Sequence, residues 1–263
     1  FFSSLISGVE EEGRSFGFDT LIYNLTRDSG DYEGQLQELC GDPSTALLVL
    51  GTELEEDQAK RFEEAMSPVL VLDNWYEGLS LNAVLIDNVD GAARAVNYLA
   101  GKGHREIGYL KGSYRIKNFL YREEGYVRAL REKGLEYRPE YTFSLTPSME
   151  GAYADMTSLL QTEPDLPTAF FADNDMIALG AVRALQQNGY QVPGDVSVVG
   201  FDDLPFCAIS NPPLTTIKVY NREMGRAAVR RLVEMAKHGA DNCTKIQVRS
   251  TIVERESVRD LSQ

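Results

Sequence analysis

The stretch at residues 167–203, PTAFFADNDMIALGAVRALQQNGYQVPGDVSVVGFDD, predicts a strand, a helix and a second strand in succession. Residues 168–172 are a short apolar run rich in β-formers, and Asp173-Asn174-Asp175 then offers N-cap candidates for a helix. Apolar residues recur at helical spacing until Gly189, a suitable left-handed cap. Residues 196–199 are a continuous apolar run, typical of a strand buried on both faces of a parallel sheet.

Two polar clusters follow these two strands. A helical crossover makes consecutive strands parallel, so Asp173-Asn174-Asp175 and Asp202-Asp203 should lie at the carboxyl ends of neighbouring strands. Open α/β sheets bind their ligands at that edge. The sequence therefore predicts a ligand site here.

Composition limits the possible functions. A chain of 263 residues that is 43% hydrophobic can form one large domain or two lobes. Its 26 basic and 40 acidic residues give a net charge of −14, which repels nucleic-acid phosphates. Cys40, Cys207 and Cys243 form no C-x-x-C pair, which favours a reducing compartment. No run approaches the ~20 apolar residues of a membrane helix, and we expect neither a metal nor a cofactor.

The rest of the chain alternates strands and helices. Strands are predicted at residues 18–23, 46–50, 69–72, 83–86, 107–110, 141–145, 214–218, 245–249 and 252–254. Helices are predicted at residues 1–13, 32–39, 55–66, 92–100, 119–132, 151–160 and 222–237, with Asp87-Asn88 opening the fourth. This rhythm indicates an α/β fold with doubly wound, mainly parallel sheets and helices on both faces. Two successive sets suggest two lobes, at residues 1–88 with 220–247 and 89–219 with 248–263.

Four segments in order resemble the effector-binding core of the lactose/galactose-repressor (LacI/GalR) family of bacterial transcriptional regulators. They are GHREIGYL at 103–110, REEGY at 122–126, the ADNDMIALGAVRAL to VPGDVSVVGFDD run, and PLTTI at 213–217 with the closing VERES. The resemblance implies a two-lobed periplasmic-binding-protein-like type I fold that closes on a small effector between the lobes. It also implies a cytoplasmic homodimer that reaches operator DNA only through an N-terminal helix-turn-helix domain missing from this sequence.

The resemblance also implies a set of ligand contacts. They fall on Phe1, Phe2, Asp73, Arg122, Phe171, Asn174 and Asp202, to which Trp75 is added as a stacking platform. An Arg fork and an Asp acceptor pair can clamp adjacent hydroxyls while an aromatic ring covers an apolar face. That chemistry suits a sugar, and it would also suit a purine.

Six of these residues have a second interpretation. Arg122 could be a solvated helix arginine, Asp202 a turn residue and Asn174 only an N-cap. Phe1, Phe171 and Trp75 could be core residues. Asp175 and Asp203 are assigned structural roles at the helix start and in the turn.

Two other functional classes are alternatives to the regulator. An extracytoplasmic sugar-binding protein of a transporter would share the fold, although GHREIGYL and VERES favour the regulator. Enzymatic activity has little support, because the chain has no P-loop, G-x-S-x-G or H-E-x-x-H motif and only two histidines, His104 and His238.

Overall fold

The computed structural model describes residues 2–25, 31–114, 116–239 and 242–262, and the chain divides into two compact units. Unit 1 comprises Phe1–Ile86 and Tyr220–Val248, and unit 2 comprises Asp87–Val219 and Arg249–Gln263. The chain therefore passes from one unit to the other three times.

The helices and strands alternate along most of the chain. The α-helices are α1 Phe2–Ser15, α2 Tyr32–Gly41, α3 Glu56–Lys60, α4 Asn88–Gly101, α5 Lys117–Glu132, α6 Met149–Leu160, α7 Asp175–Gln187, α8 Phe206–Ile209 and α9 Asn221–His238. The strands are β1 Leu47–Leu50, β2 Val69–Leu72, β3 Asn82–Ile86, β4 Ile107–Gly112, β5 Thr142–Leu145, β6 Ala169–Ala172, β7 Ser197–Asp202, β8 Thr215–Lys218, β9 Lys245–Val248 and β10 Thr251–Val253. The predicted α/β fold class is confirmed.

Unit 1 contains a four-stranded parallel sheet in the order β1-β2-β3-β9. Every residue of β2 and β3 is buried, as expected for central strands covered on both faces. Helix α1 packs along α9. The α1–α9 pair adds an outer layer of helices to this unit.

Unit 2 contains a six-stranded sheet in the order β10-β8-β7-β6-β4-β5, parallel except for the β10–β8 pair. Alternate residues of β6 point to opposite faces. Phe170 packs into the core formed with α6 and α7, whereas Phe171 stacks near Tyr126 of α5. The sheet therefore carries α6 and α7 on one face and α5, with its partner α4, on the other.

Two predicted elements of unit 1 need correction. Residues 18–23 form no strand, because nothing in the described part of the chain pairs with them and Phe18, Leu21, Ile22 and Tyr23 are exposed. The helix predicted at 55–66 ends at Lys60 and continues as a 3₁₀ turn, Arg61–Glu64. The three-residue spacing of that turn keeps Phe62 buried on the same side as Ala59.

Within the described ranges, no helix has the length and apolar character needed to cross a membrane.

Candidate functional site

The two polar clusters of the sequence lie at the same edge of the unit 2 sheet. Strands β6 and β7 are parallel neighbours, β6 ends at Ala172 and β7 ends at Asp202. Asp173 directly follows the first strand, and Asp203 directly follows the second. The predicted placement of these clusters at adjacent carboxyl ends is confirmed. We call this region the carboxyl edge of unit 2.

The Arg122 side chain extends from α5 to both strand ends. Nη1 donates to the Asp173 carbonyl oxygen, and Nη2 lies 3.4 Å from Asp202 Oδ1. Nε donates to Asn88 Oδ1 over 2.8 Å. These contacts use three of the five guanidinium N–H donors among the described residues, so two remain for another partner. The Arg122 side chain is 4% exposed and that of Asp202 is 13% exposed, so Arg122 is not a solvated helix arginine.

A column of stacked aromatic rings lies next to the Arg122 guanidinium. Tyr126 stacks on Tyr109 at 4.9 Å between ring centroids, and Tyr109 stacks on Phe171 at 5.6 Å. Phe171 meets Phe201 edge-on, and Arg122 Cζ lies 3.8 Å from the Phe201 centroid. This distance is well inside the range of a cation–π contact.

The structure favours the core interpretation of Phe171. Its ring is 0% exposed and lies inside the aromatic column, and a ligand contact by Phe171 stays a prediction. Phe201 is the ring that contacts the guanidinium, and sequence reasoning missed it. Its position directly before Asp202 was the available signal.

Asp173 is a buried acceptor rather than a helix cap. Its carboxylate accepts hydrogen bonds from the Tyr109 hydroxyl and from the Gly112 backbone N–H at 2.7 Å. Burial raises the pKa of Asp173 to about 7, and the Gly112 and Tyr109 hydrogen bonds oppose that rise. Through Gly112, the last residue of β4, Asp173 ties the ends of β4 and β6 together.

The neighbouring residues of the two clusters have structural partners. Asn174 is the N-cap of α7, and its Oδ1 accepts from Ile177 N at 2.9 Å. Asp175 accepts from Leu204 N and Thr216 Oγ1, and burial raises its pKa to about 6. The structural role expected for Asp175 is therefore confirmed. The cap occupies Oδ1 of Asn174 but not Nδ2, so a ligand contact by Asn174 stays a prediction.

Asp203 also has the structural role expected of it. Its carboxylate accepts from Arg255 Nη2 at 2.7 Å and lies 3.4 Å from Lys218 Nζ. Two cations therefore balance Asp203, and the neighbouring Asp202 carboxylate lies 3.4 Å from the ligand-contact candidate Arg122.

Backbone strain occurs at two of the predicted ligand residues and at the neighbouring Asp203. Four described residues other than glycine have positive φ, and three of them are Asp73 (66°), Asp202 (116°) and Asp203 (58°). Each lies at or directly after the carboxyl end of a strand. Such strained conformations cost of order 1–3 kcal/mol each and cluster at ligand sites.

Unit 1 contains the other predicted contacts. Asp73 follows β2, is buried, and accepts from Thr52 Oγ1 at 2.7 Å. Trp75 is half-buried, and its ring centroid lies 5.6 Å from Nζ of Lys245, the first residue of β9. Phe2 is 44% exposed at the start of α1, and Phe1 lies outside the described residues.

Comparisons with known proteins give a consistent result. The family described as "Periplasmic binding protein-like domain" matches residues 96–258. The HTH-type transcriptional repressor PurR of Mannheimia succiniciproducens is 30% identical over 263 residues, which is 100% of this chain and 78% of that protein.

Two solved structures are similar along almost the whole chain. The transcriptional regulator CelR-cellobiose complex has a TM-score of 0.86 and 27% identity, covering 97% of this chain and 78% of that one. A LacI family transcriptional regulator from Enterococcus faecalis V583 with bound ribose has a TM-score of 0.81 and 26% identity, covering 99% and 95%.

Proposed function

Because the chain belongs to the LacI/GalR family of transcriptional regulators and spans their effector-binding region, we propose that it senses a small sugar at the carboxyl edge of unit 2. The observation that carries the proposal is the Arg122 guanidinium. It is held at the ends of two adjacent strands, beside the Asp202 carboxylate, with two donors left over.

The pair Arg122 and Asp202 supplies both kinds of hydrogen-bonding group that a sugar requires. A sugar hydroxyl donates one hydrogen bond and accepts others, so neighbouring hydroxyls can donate to the carboxylate and accept from the guanidinium. Hydrogen bonds to charged groups contribute about 1.5–3 kcal/mol each. Asp202 is the more exposed of the two side chains.

The charge of this edge favours a neutral ligand. Asp202 already faces the one positive charge of Arg122, and the nearby Asp203 is paired with Arg255 and Lys218. A phosphorylated sugar would bring negative charge to a site whose cations have acidic partners, and that arrangement costs free energy. A purine is the second candidate ligand, because it can also receive donors from an arginine fork.

The remaining features of the proposal come from the relatives. We assign operator DNA to a helix-turn-helix domain outside these 263 residues, because a net charge of −14 disfavours DNA contact by the chain itself. We further propose a cytoplasmic homodimer without enzymatic activity. The relative PurR and both similar solved structures are transcriptional regulators, which favours this function over a transporter's extracytoplasmic sugar-binding protein. The expectation that residues of both units, such as Asp73 and Asp202, contact one ligand stays a prediction.

A thermal-shift screen tests the proposal. D-Ribose, cellobiose, ribose 5-phosphate and hypoxanthine would each be added to the purified chain and to its Arg122→Ala variant. A ligand at 100 times its Kd stabilises a protein by about 2.7 kcal/mol, so we expect a neutral sugar to raise the Tm of the parent.

The matched control is Arg183→Ala, which removes an exposed arginine of α7 that stacks on Tyr153. It should leave the ligand-induced shift unchanged. Arg122→Ala should reduce the shift, because a Kd weakened ten- to a hundredfold leaves only about 0.4–1.4 kcal/mol of stabilisation at the same ligand concentration. Stabilisation by hypoxanthine alone would indicate a purine ligand instead of a sugar. An undiminished shift in Arg122→Ala would contradict the proposed site.

A further inference from the structure

Asn88, at the start of α4, is connected to the Arg122 side chain from the neighbouring helix. Asn88 Oδ1 accepts from Arg122 Nε at 2.8 Å, and Asn88 Nδ2 donates to Asn118 Oδ1 at 2.9 Å. All three side chains are buried, with exposures of 3% to 6%. The sequence pattern assigned Asn88 only to the opening of a helix.

The orientation of the Asn88 amide follows from the chemistry of its partners. A guanidinium nitrogen can only donate, so the amide atom that faces Arg122 is the oxygen. The nitrogen of the same amide must then face Asn118, which accepts through Oδ1. Asn118 and Arg122 are four residues apart on α5 and therefore lie on one face of that helix. One amide thus fixes two side chains of α5 at once.

These contacts leave the guanidinium little freedom to rotate. Its face rests on the Phe201 ring, Nε is held by Asn88, and Nη1 donates to the Asp173 carbonyl. A planar group held on one face and at two of its nitrogens keeps Nη2 directed towards Asp202. Preorganised donors lose less conformational entropy when they bind a ligand.

We infer that Asn88 is a positioning residue, which sets the plane of the Arg122 guanidinium and thereby the direction in which Arg122 meets the ligand. The expected effect of Asn88 on ligand affinity rests on the proposed function. The expected effect of Asn88 on the Arg122 side chain can be measured without a ligand.

The first experiment uses no ligand and measures hydrogen exchange of the Arg122 Nε proton by ¹H–¹⁵N NMR. The resonance is assigned from its loss in Arg122→Lys. The parent should show slow exchange, because Nε–H is buried and bonded. Asn88→Leu, which has a similar volume and no acceptor, should raise the exchange rate by roughly tenfold or more. Asn88→Asp retains an acceptor oxygen for Nε, and its second oxygen can accept from Asn118 after that amide turns over. It should restore slow exchange.

The second experiment measures ligand affinity by titration calorimetry, with D-ribose or cellobiose, whichever binds the parent. Asn88→Leu should weaken binding roughly tenfold, whereas Asn88→Asp should stay within about threefold of the parent. Because an acidic residue is also favoured in the first turn of a helix, rescue by Asp alone does not separate positioning from helix stability. The Nε exchange rate and a control variant in unit 1 make that distinction.

Unit 1 offers a matched control. Asn82 is also buried, and its Oδ1 accepts from Arg231 Nε at 3.1 Å, but it begins β3 and so lies at the amino end of its strand. Asn82→Leu removes the same kind of contact. It should lower stability without changing either the Arg122 exchange rate or the ligand affinity.

Several results would overturn the inference. Fast exchange of the Arg122 Nε proton in the parent would do so even if Asn88→Leu failed to fold. So would unchanged affinity in a folded Asn88→Leu variant, or equal losses of affinity in Asn88→Leu and Asn82→Leu. If neither D-ribose nor cellobiose binds the parent, the proposed sugar function is contradicted. The hydrogen-exchange experiment then still decides whether Asn88 positions Arg122.

Discussion

Asp173→Asn should change how the stability of the protein depends on pH. The Asp173 carboxyl is buried, and its pKa rises from 3.8 to about 7 because burial disfavours the charged form. Between pH 4 and pH 7 the folded state therefore holds a proton that the unfolded state has released. The contribution of Asp173 to the free energy of unfolding must then fall as pH rises through this window, by at most about 1.4 kcal/mol for each pH unit.

The asparagine variant lacks this ionisation but can retain the hydrogen bonds. Its Oδ1 can accept from Gly112 N, and its Nδ2 can donate to the Tyr109 oxygen. The Tyr109 hydroxyl can then donate to the Phe119 carbonyl, which lies 3.4 Å away. We therefore expect the variant to fold, and to gain stability relative to the parent by a few kcal/mol between pH 4 and pH 7.

Urea unfolding of both proteins at pH 4.5, 6.0 and 7.5 measures this difference. Other groups titrate equally in the two proteins, so their effects cancel in the comparison. A difference in unfolding free energy that stays constant with pH would refute the reasoning. A parent that gains stability relative to Asp173→Asn as pH rises would refute it as well.

Three further predictions concern packing, burial and assembly. Gly91→Ala should lower stability, because its Cβ would lie 2.8 Å from Phe201 ring atoms, whereas Gly101→Ala in the same helix meets nothing within 4 Å and should be neutral or stabilising in urea unfolding. Asp175→Ala should cost about 2–4 kcal/mol in the same assay, because it leaves two buried donors without their acceptor, and a loss below about 1 kcal/mol would contradict that role. Sedimentation at micromolar concentration should show a dimer, and a monomer alone would count against the proposed homodimer.

Local patterns in the sequence were sufficient for most of the fold. Apolar periodicity and turn residues predicted each strand of both sheets, and Gly189 ends its helix with the expected positive φ. They failed for residues 18–23, which read as a strand by composition. Strand formation requires a hydrogen-bonded neighbour, and composition does not show whether a neighbour is present.

The candidate site was only partly predictable, for a related physical reason. Polar residues after strands point to an edge, so Asp202 and the Asp173 cluster could be placed there in advance. The partners of Arg122 come from Asn88, 34 residues away, and Asp173, 51 residues away. Such pairings depend on how helices cross the sheet, and no local period encodes them. Phe171 and Phe201 show the same limit, since only their packed positions reveal which ring touches the guanidinium.

The most direct test of the proposed site is a double-mutant cycle measured by titration calorimetry with the sugar that binds the parent. Arg122→Ala and Asp202→Ala should each weaken binding roughly ten- to a hundredfold, as expected for the loss of charge-assisted hydrogen bonds of about 1.5–3 kcal/mol. The double variant should lose less than the sum of the two, because both groups hold one ligand pose and each other. An Arg122→Ala variant that binds the sugar as tightly as the parent would contradict the account.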